Sequence, residues 1–231
     1  MDNAGVSDSP SHATCWQLIA DAADGPGVAR SSFARSYHPL VRGYLAARWR
    51  QSPLNSLLDD AVQEVFVECF RQGGPLGRAS AEGGAFRPFL FGIVKNVARR
   101  FEERGQGREP AATESTIGRV PARDPTPSRS FDREWAAMLM REAADRQRER
   151  ARSGEADAAR RVELLQLRFR DGLAIREIAN RWHVDRAWLH HEYAKARSEF
   201  RVCLREVIAF HVVRSEADLD DECRRLLDLL E

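Results

Sequence analysis

Long apolar runs are missing from this 231-residue chain: nothing approaches the ~20 consecutive hydrophobic residues of a membrane-spanning helix. No membrane span is therefore expected. The opening stretch, Met1 to Pro10, is polar and lacks the charged-then-apolar pattern of a secretion signal, which makes a cytoplasmic location the expectation. Cysteine is scarce. Cys15, Cys69, Cys203 and Cys223 lie far apart, which argues against a disulfide framework and against a cysteine-based zinc site. No Asn-Gly or Asp-Gly pair joins alternating strands, and Asp171-Gly172 is flanked by helical patterns. A phosphate-cradling glycine motif and a nucleophile–base pair are also absent, so neither enzyme activity nor a cofactor is expected. His183, His190 and His191 do not make a metal site, because His190 and His191 are adjacent and point to different sides of a helix.

What remains is a chain with 43% hydrophobic residues, enough to bury real cores. Its patterned stretches repeat at helical spacing, so the fold class is all-α. The clearest break, residues 105–130, contains Pro110, Pro121, Pro125 and Pro127 among Gly, Ser and Thr, and reads as an extended linker. It separates two helical domains, 15–104 and 131–212. Residues 1–14 are expected to be disordered. Net charge is only +1, yet it is unevenly spread: residues 30–104 carry twelve bases against seven acids, residues 1–29 four acids and no Lys or Arg, and residues 214–231 three bases against seven acids. A concentrated basic segment suits a polyanion, although solvated helix faces would produce the same count.

Three helices are expected in the first domain. Residues 28–49 bring Phe33, Tyr37, Leu40, Val41, Tyr44, Leu45 and Trp49 inward, with Pro39 set to kink or split the helix. Residues 57–71 bury Leu57, Leu58, Ala61, Val62, Val65, Phe66, Cys69 and Phe70, and leave Asp59, Asp60, Gln63, Glu64 and Glu68 outside. Residues 86–104 place Phe86, Phe89, Leu90, Ile93, Val94, Val97 and Phe101 inward and Arg87, Lys95, Asn96, Arg99 and Arg100 elsewhere. An acid-faced helix thus precedes a basic-faced one; the first suits a protein's basic groove, the second phosphates. Phe91 falls off the apolar stripe one turn before Lys95, where it would either stack on an unpaired base or join a satellite core.

In the second domain, residues 132–152 alternate charge around a stripe of Trp135, Met138 and Leu139 that reads as core. Residues 173–182 form a short amphipathic helix, His183-Val184-Asp185 a tight turn, and a second helix starts at Arg186 with Asp185 as its N-cap. Glu177, Ile178 and Ala179 are expected at the crossing of the two helices, with Val184 plugging the angle. This is helix-turn-helix spacing, which plain helical hairpins share. The tail, 213–231, reads as an acidic amphipathic helix with Leu219, Cys223, Leu226, Leu227 and Leu230 on one stripe. It is expected to dock on its own chain, where it would cover the basic surface or bind a regulatory protein.

Three motifs in order carry a resemblance. Asp60-Ala-Val-Gln-Glu-Val-Phe66, Phe86-Arg-Pro-Phe-Leu-Phe-Gly-Ile-Val-Lys-Asn96 and the stretch Leu173 to Phe200 resemble the signatures of extracytoplasmic-function (ECF) sigma factors of the sigma-70 family. The likeness spans roughly residues 28–104 and 160–204. It implies a sigma region 2-like domain at 15–104 and a region 4-like domain at 131–212, acting in promoter recognition, DNA melting and transcription initiation. Asp60, Gln63 and Glu64 would dock on the β′ clamp of core RNA polymerase, with the β flap a further contact. Arg87, Phe89, Phe91, Lys95, Asn96 and Arg99 would hold the melted minus-10 element, and the Gly-rich loop 72–85 would pocket a flipped base. The linker would thread toward the polymerase active-site channel. Asp185, Arg186, Trp188, His190, His191, Glu192, Lys195 and Arg197 would face the minus-35 element of promoter DNA.

The chain departs from the family at His183, where Gly is usual, and at Trp188, His190, His191 and Glu192, where Thr, Lys, Ser and Arg are common. Glu192 would repel phosphate or accept a hydrogen bond from cytosine N4. Two other readings stand beside the sigma factor: a helix-turn-helix regulator that acts without polymerase, and a degenerate sigma-like module for protein interaction.

Overall fold

Helical periodicity becomes helix throughout. A computed structural model describes residues 15–24, 27–79, 86–105, 129–154 and 157–212, and every regular element among them is helical. The α-helices are α1 (Cys15–Asp24), α2 (Gly27–Arg48), α3 (Leu58–Phe70), α4 (Phe86–Gly105), α5 (Arg129–Ser153), α6 (Ala158–Phe169), α7 (Ile175–Trp182) and α8 (Arg186–Val212). The expectations for residues 1–14, for the linker between Gly105 and Arg129, for the Gly-rich loop beyond Ala79 and for the tail 213–231 lie outside the described residues. Among the described residues, no helix is long and apolar enough to cross a membrane.

The described chain divides into two compact units. The first runs to Trp135 and takes in Phe210–Val212; the second covers Ala136–Ala209. In the first, Phe33, Tyr37, Leu40, Val41, Tyr44 and Leu45 of α2 are buried, as are Ala61, Val62, Val65 and Cys69 of α3 and Phe86, Leu90, Val94 and Val97 of α4. Aromatic edges knit them together: the Phe86 ring lies 6.0 Å from Phe33 and 5.2 Å from Tyr37. Each buried Val, Leu or Phe among them contributes roughly 1.5–3 kcal/mol by leaving water. The sequence did not announce α1, which adds Ile19 and Ala22 to this core and sets Trp16 edge-on to Phe86 at 6.0 Å.

α2 runs unbroken through Pro39, so the proline does not split it. Two local expectations are corrected. Leu57 closes a 3-10 turn, Pro53–Leu57, that Ser52 caps by accepting from the Leu54 N–H at 3.2 Å; the Leu57 side chain is therefore exposed instead of buried. Glu68, expected outside, is buried between Arg71 at 3.2 Å and Arg100 at 3.3 Å. Burying a carboxylate is tolerable only with such charge partners.

A polar clamp ties the end of α2 to α4. Arg48 donates to Glu102 through Nε (2.6 Å) and a terminal nitrogen (2.9 Å), and the buried Trp49 donates its indole N–H to the same carboxylate at 2.9 Å. The Arg48 hydrogen bond, opposed by desolvation and assisted by Trp49, holds the Glu102 carboxyl below its usual range. Cys69 lies buried on α3, and burial pushes its thiol up to about 12.

In the second unit, α5 buries Met138, Leu139 and Ala143, whereas Trp135, read from the sequence as core of the same domain, is buried in the first unit. Gln147 is buried too and donates to the Ala196 carbonyl of α8 at 3.2 Å, while Arg150 pairs with Glu206 at 2.7 Å. Leu164 and Leu167 of α6, Ile178 and Ala179 of α7 and Leu189 of α8 form a second apolar cluster, flanked by Leu173, Ile175, Trp182, Val184, Trp188 and Tyr193. In the turn after α6, Gly172 takes the left-handed region at φ 71°, as an achiral residue can.

Candidate functional site

Two faces of the first unit and one helix pair of the second hold the residues that sequence singled out. On α3, Asp60 and Gln63 are exposed and Glu64 half-buried, its carboxylate 3.6 Å from Arg100. Asp59, one position off this strip, is paired with Arg42. Val67 completes the strip one turn beyond Gln63 and is 54% exposed. Sequence reasoning passed over Val67 because it counted charges on this face; an apolar residue at the outer helical register was the available signal. The strip offers acceptors with an apolar residue at its end, a combination suited to a protein surface bearing cations.

On α4, the expected DNA-facing residues separate into two groups. Lys95, Asn96 and Arg99 are exposed and share one stripe, with Arg99 3.7 Å from Glu103. Arg87 and Phe91 lie on the neighbouring stripe, and both are covered. Phe91 is buried, its ring 5.8 Å from Tyr44 and 4.9 Å from Phe131; Arg87 meets Asp132 at 3.4 Å, with both side chains largely enclosed. The ring of Phe91 is thus packed as core in this conformation, the second of the two possibilities left open by its position. Phe89 is half-buried beside Phe86 at 6.0 Å. Phe131 and Asp132, in the first turn of α5, went unremarked as neighbours of α4, because no pattern within α4 encodes which element lies over it.

The α7–α8 pair is built around a left-handed turn. His183 has φ 52° and ψ 46° and ends α7, donating its N–H to the Asn180 carbonyl at 3.3 Å. Val184 donates to Ala179 at 3.0 Å, closing the six-residue loop of a Schellman ending, and its side chain packs on the apolar cluster. Asp185 caps α8: its carboxylate accepts the Trp188 N–H at 2.9 Å. Ile178 and Ala179 are buried at the crossing, but Glu177 is not part of it. Glu177 is exposed and reaches back to accept the Ala174 N–H at 2.7 Å, one half of a capping box.

Along α8, Arg186, His190, His191, Lys195 and Arg197 are exposed. Arg197 lies over the Tyr193 ring, 5.7 Å from its centroid. Two other residues of the expected DNA face are engaged within the unit. Trp188 is half-buried, and the Arg160 guanidinium sits between it and Trp182, at 5.1 and 4.9 Å from the two rings. Glu192 is 5% exposed and meets Arg161 at 3.3 Å and Lys195 at 3.0 Å. Arg161 is itself buried and reaches Glu199 at 2.7 Å. Burial works to raise the Glu192 carboxyl, but the hydrogen bonds from Lys195 and Arg161 outweigh it and hold the group below its usual range. In this conformation Glu192 is an anion inside a charge network, turned away from both roles considered for it at a DNA surface.

Among the described residues no cluster of His, Cys, Asp and Glu is arranged to hold a metal ion. The chemistry on view is recognition: an acidic strip ending in an apolar residue, a basic stripe with an amide, and a capped helix with outward cations and imidazoles. No protein-family model, no curated protein and no solved structure matches this chain.

Proposed function

We propose that this chain is a sigma factor, a two-domain helical protein that binds core RNA polymerase and directs promoter recognition, DNA melting and the start of transcription. The observation that carries the reading is the division of roles between adjacent helices of the first unit. α3 turns Asp60, Gln63, part of Glu64 and Val67 outward, while α4 turns out Lys95, Asn96 and Arg99. A regulator that met DNA alone would have no use for the α3 strip.

In this reading the strip docks on the β′ clamp, and Lys95 and Arg99 hold phosphates of the melted minus-10 strand while Asn96 offers an amide to a base edge. The α7–α8 pair acts as the helix-turn-helix at the minus-35 element and beside the β flap, with Arg186 and His190 near the leading end of the second helix. The protein works without catalysis or cofactor, in the cytoplasm, and an anti-sigma factor is a candidate regulator. One observation favours a second reading, a sigma-like module for protein interaction. Glu192 and Trp188, two of the residues expected on the DNA face of α8, are engaged with Arg161 and Arg160.

Purified core polymerase plus this protein in run-off transcription on genomic promoters separates the readings. A promoter-dependent transcript supports the sigma factor, and core binding without a transcript supports the interaction module. Absence of both refutes the proposal, and specific duplex binding without core affinity would identify a polymerase-independent regulator.

A further inference from the structure

The covered stripe of α4 carries an inference of its own. Phe131 is fully buried and lies against both Phe91, at 4.9 Å with the rings tilted by 55°, and Tyr44, at 5.5 Å. The next residue, Asp132, sets its carboxylate 3.4 Å from the Arg87 guanidinium, with side-chain exposures of 16% and 12%. One turn further along α5, Trp135 is fully buried and stacks on Tyr37 at 6.2 Å, so the first two turns of α5 are seated firmly on the helices of the first unit. An aromatic ring followed by an anion, laid across a Phe and an Arg one turn apart, has the chemistry of a nucleotide: a flat apolar body to stack and a charged group for a cation to bind.

We propose that the first turn of α5 is an intramolecular cover on the strand-binding face of α4, with Phe131 in the place of an unstacked base and Asp132 in the place of its phosphate. The inference rests on the reading of α4 as a single-strand-binding helix and adds that the helix is self-occupied. Lys95, Asn96 and Arg99 stay accessible for a first encounter, whereas full engagement requires Phe131 and Asp132 to lift away from Phe91 and Arg87. The ligand is single-stranded DNA. A duplex keeps its bases stacked on one another and has none to offer Phe91.

Fluorescence anisotropy with a short fluorescein-labelled single-stranded DNA of mixed sequence tests the cover in the full chain. Phe131→Ala combined with Asp132→Ala should bind at least about tenfold more tightly than the unaltered protein, and adding Phe91→Ala should remove that gain. Asp132→Lys, which repels Arg87 without opening a cavity, should tighten binding in the same direction. It serves as the second variant if the double substitution fails to fold. Hydrogen exchange on each protein reports whether the first turn of α5 has been released. Release of that turn with unchanged affinity overturns the cover, as does a gain that survives Phe91→Ala. Run-off transcription is scored separately: tighter strand binding without polymerase-dependent transcription keeps the cover and removes the sigma reading, and transcription without tighter strand binding does the reverse.

Discussion

His183 holds a backbone conformation that costs an L-residue roughly 1 kcal/mol or more, and it does so where the turn between α7 and α8 leaves no alternative. Its ring is exposed, so little packing offsets the strain. His183→Gly should therefore stabilise the protein by about 0.5–1 kcal/mol, read as a higher urea midpoint at unchanged slope. Glu102 makes the complementary case, a residue whose contribution depends on pH. Its folded pKa lies below the unfolded value of about 4.3, so the stabilisation is complete above that value and drains away as pH falls through the folded pKa. Glu102→Gln should cost roughly 1 kcal/mol near neutral pH, a figure held down by partial exposure of the pair. Near pH 3 the gap between the two proteins should shrink, and urea titrations at both values would show it. At this scale the sequence was readable where the cause is local: Asp185 as a cap follows from its place before a helical run. Glu68, Phe91 and Glu192 were not readable in this way, because a helical register says which side a residue takes but not which neighbour arrives to cover that side.

α6 and α8 are joined through the most charged buried site described, Arg161 with Glu192 and Glu199. Removing Glu192 leaves the buried Arg161 with Glu199 as its remaining carboxylate partner, so Glu192→Ala should cost about 2 kcal/mol, less than stranding the guanidinium altogether. Arg161→Met with Glu192→Leu should recover most of that loss, since apolar residues of similar size avoid the desolvation penalty altogether. Thermal melts of the single and double variants check both statements; a double variant weaker than the single one would contradict the argument. The long elements were the most legible part of the fold. α2, α3 and α4 begin and end within a residue or so of where their apolar spacing placed them, because a strongly periodic stretch admits one helical solution. Pro39 is carried inside α2 without splitting it, because packing of the buried residues on either side of the proline outweighs one missing hydrogen bond. α1 went unseen because ten residues give fewer than three turns of pattern, too short to stand out as a helix alone, and it gains its stability from Ile19 and Ala22 seated on the rest of the unit.

Across the whole molecule the net charge of +1 conceals surfaces of opposite sign, and those surfaces determine what the protein can meet. Asp60→Lys with Glu64→Lys leaves the core untouched on the α3 side, apart from the Arg100 contact, and reverses the sign of the strip. The variant should keep its helical spectrum and lose detectable binding to core polymerase in a pull-down, while its affinity for single-stranded DNA stays the same or rises. Retained core binding would mean that the strip is not the docking surface. Which stretch of chain lies over α4 is a whole-molecule property, and the alternation of charge in α5 gave no sign that Phe131 and Asp132 would be the residues to do it. Cys69 offers a way to time such rearrangements. With its thiol buried and pushed up to about 12, it is almost wholly unionised at neutral pH and shielded from reagents, so alkylation must wait for α3 to open. Mass-resolved labelling of Cys69 would therefore act as a clock on the first unit, ticking at the frequency of its local unfolding and slowing when a bound partner holds α3 in place.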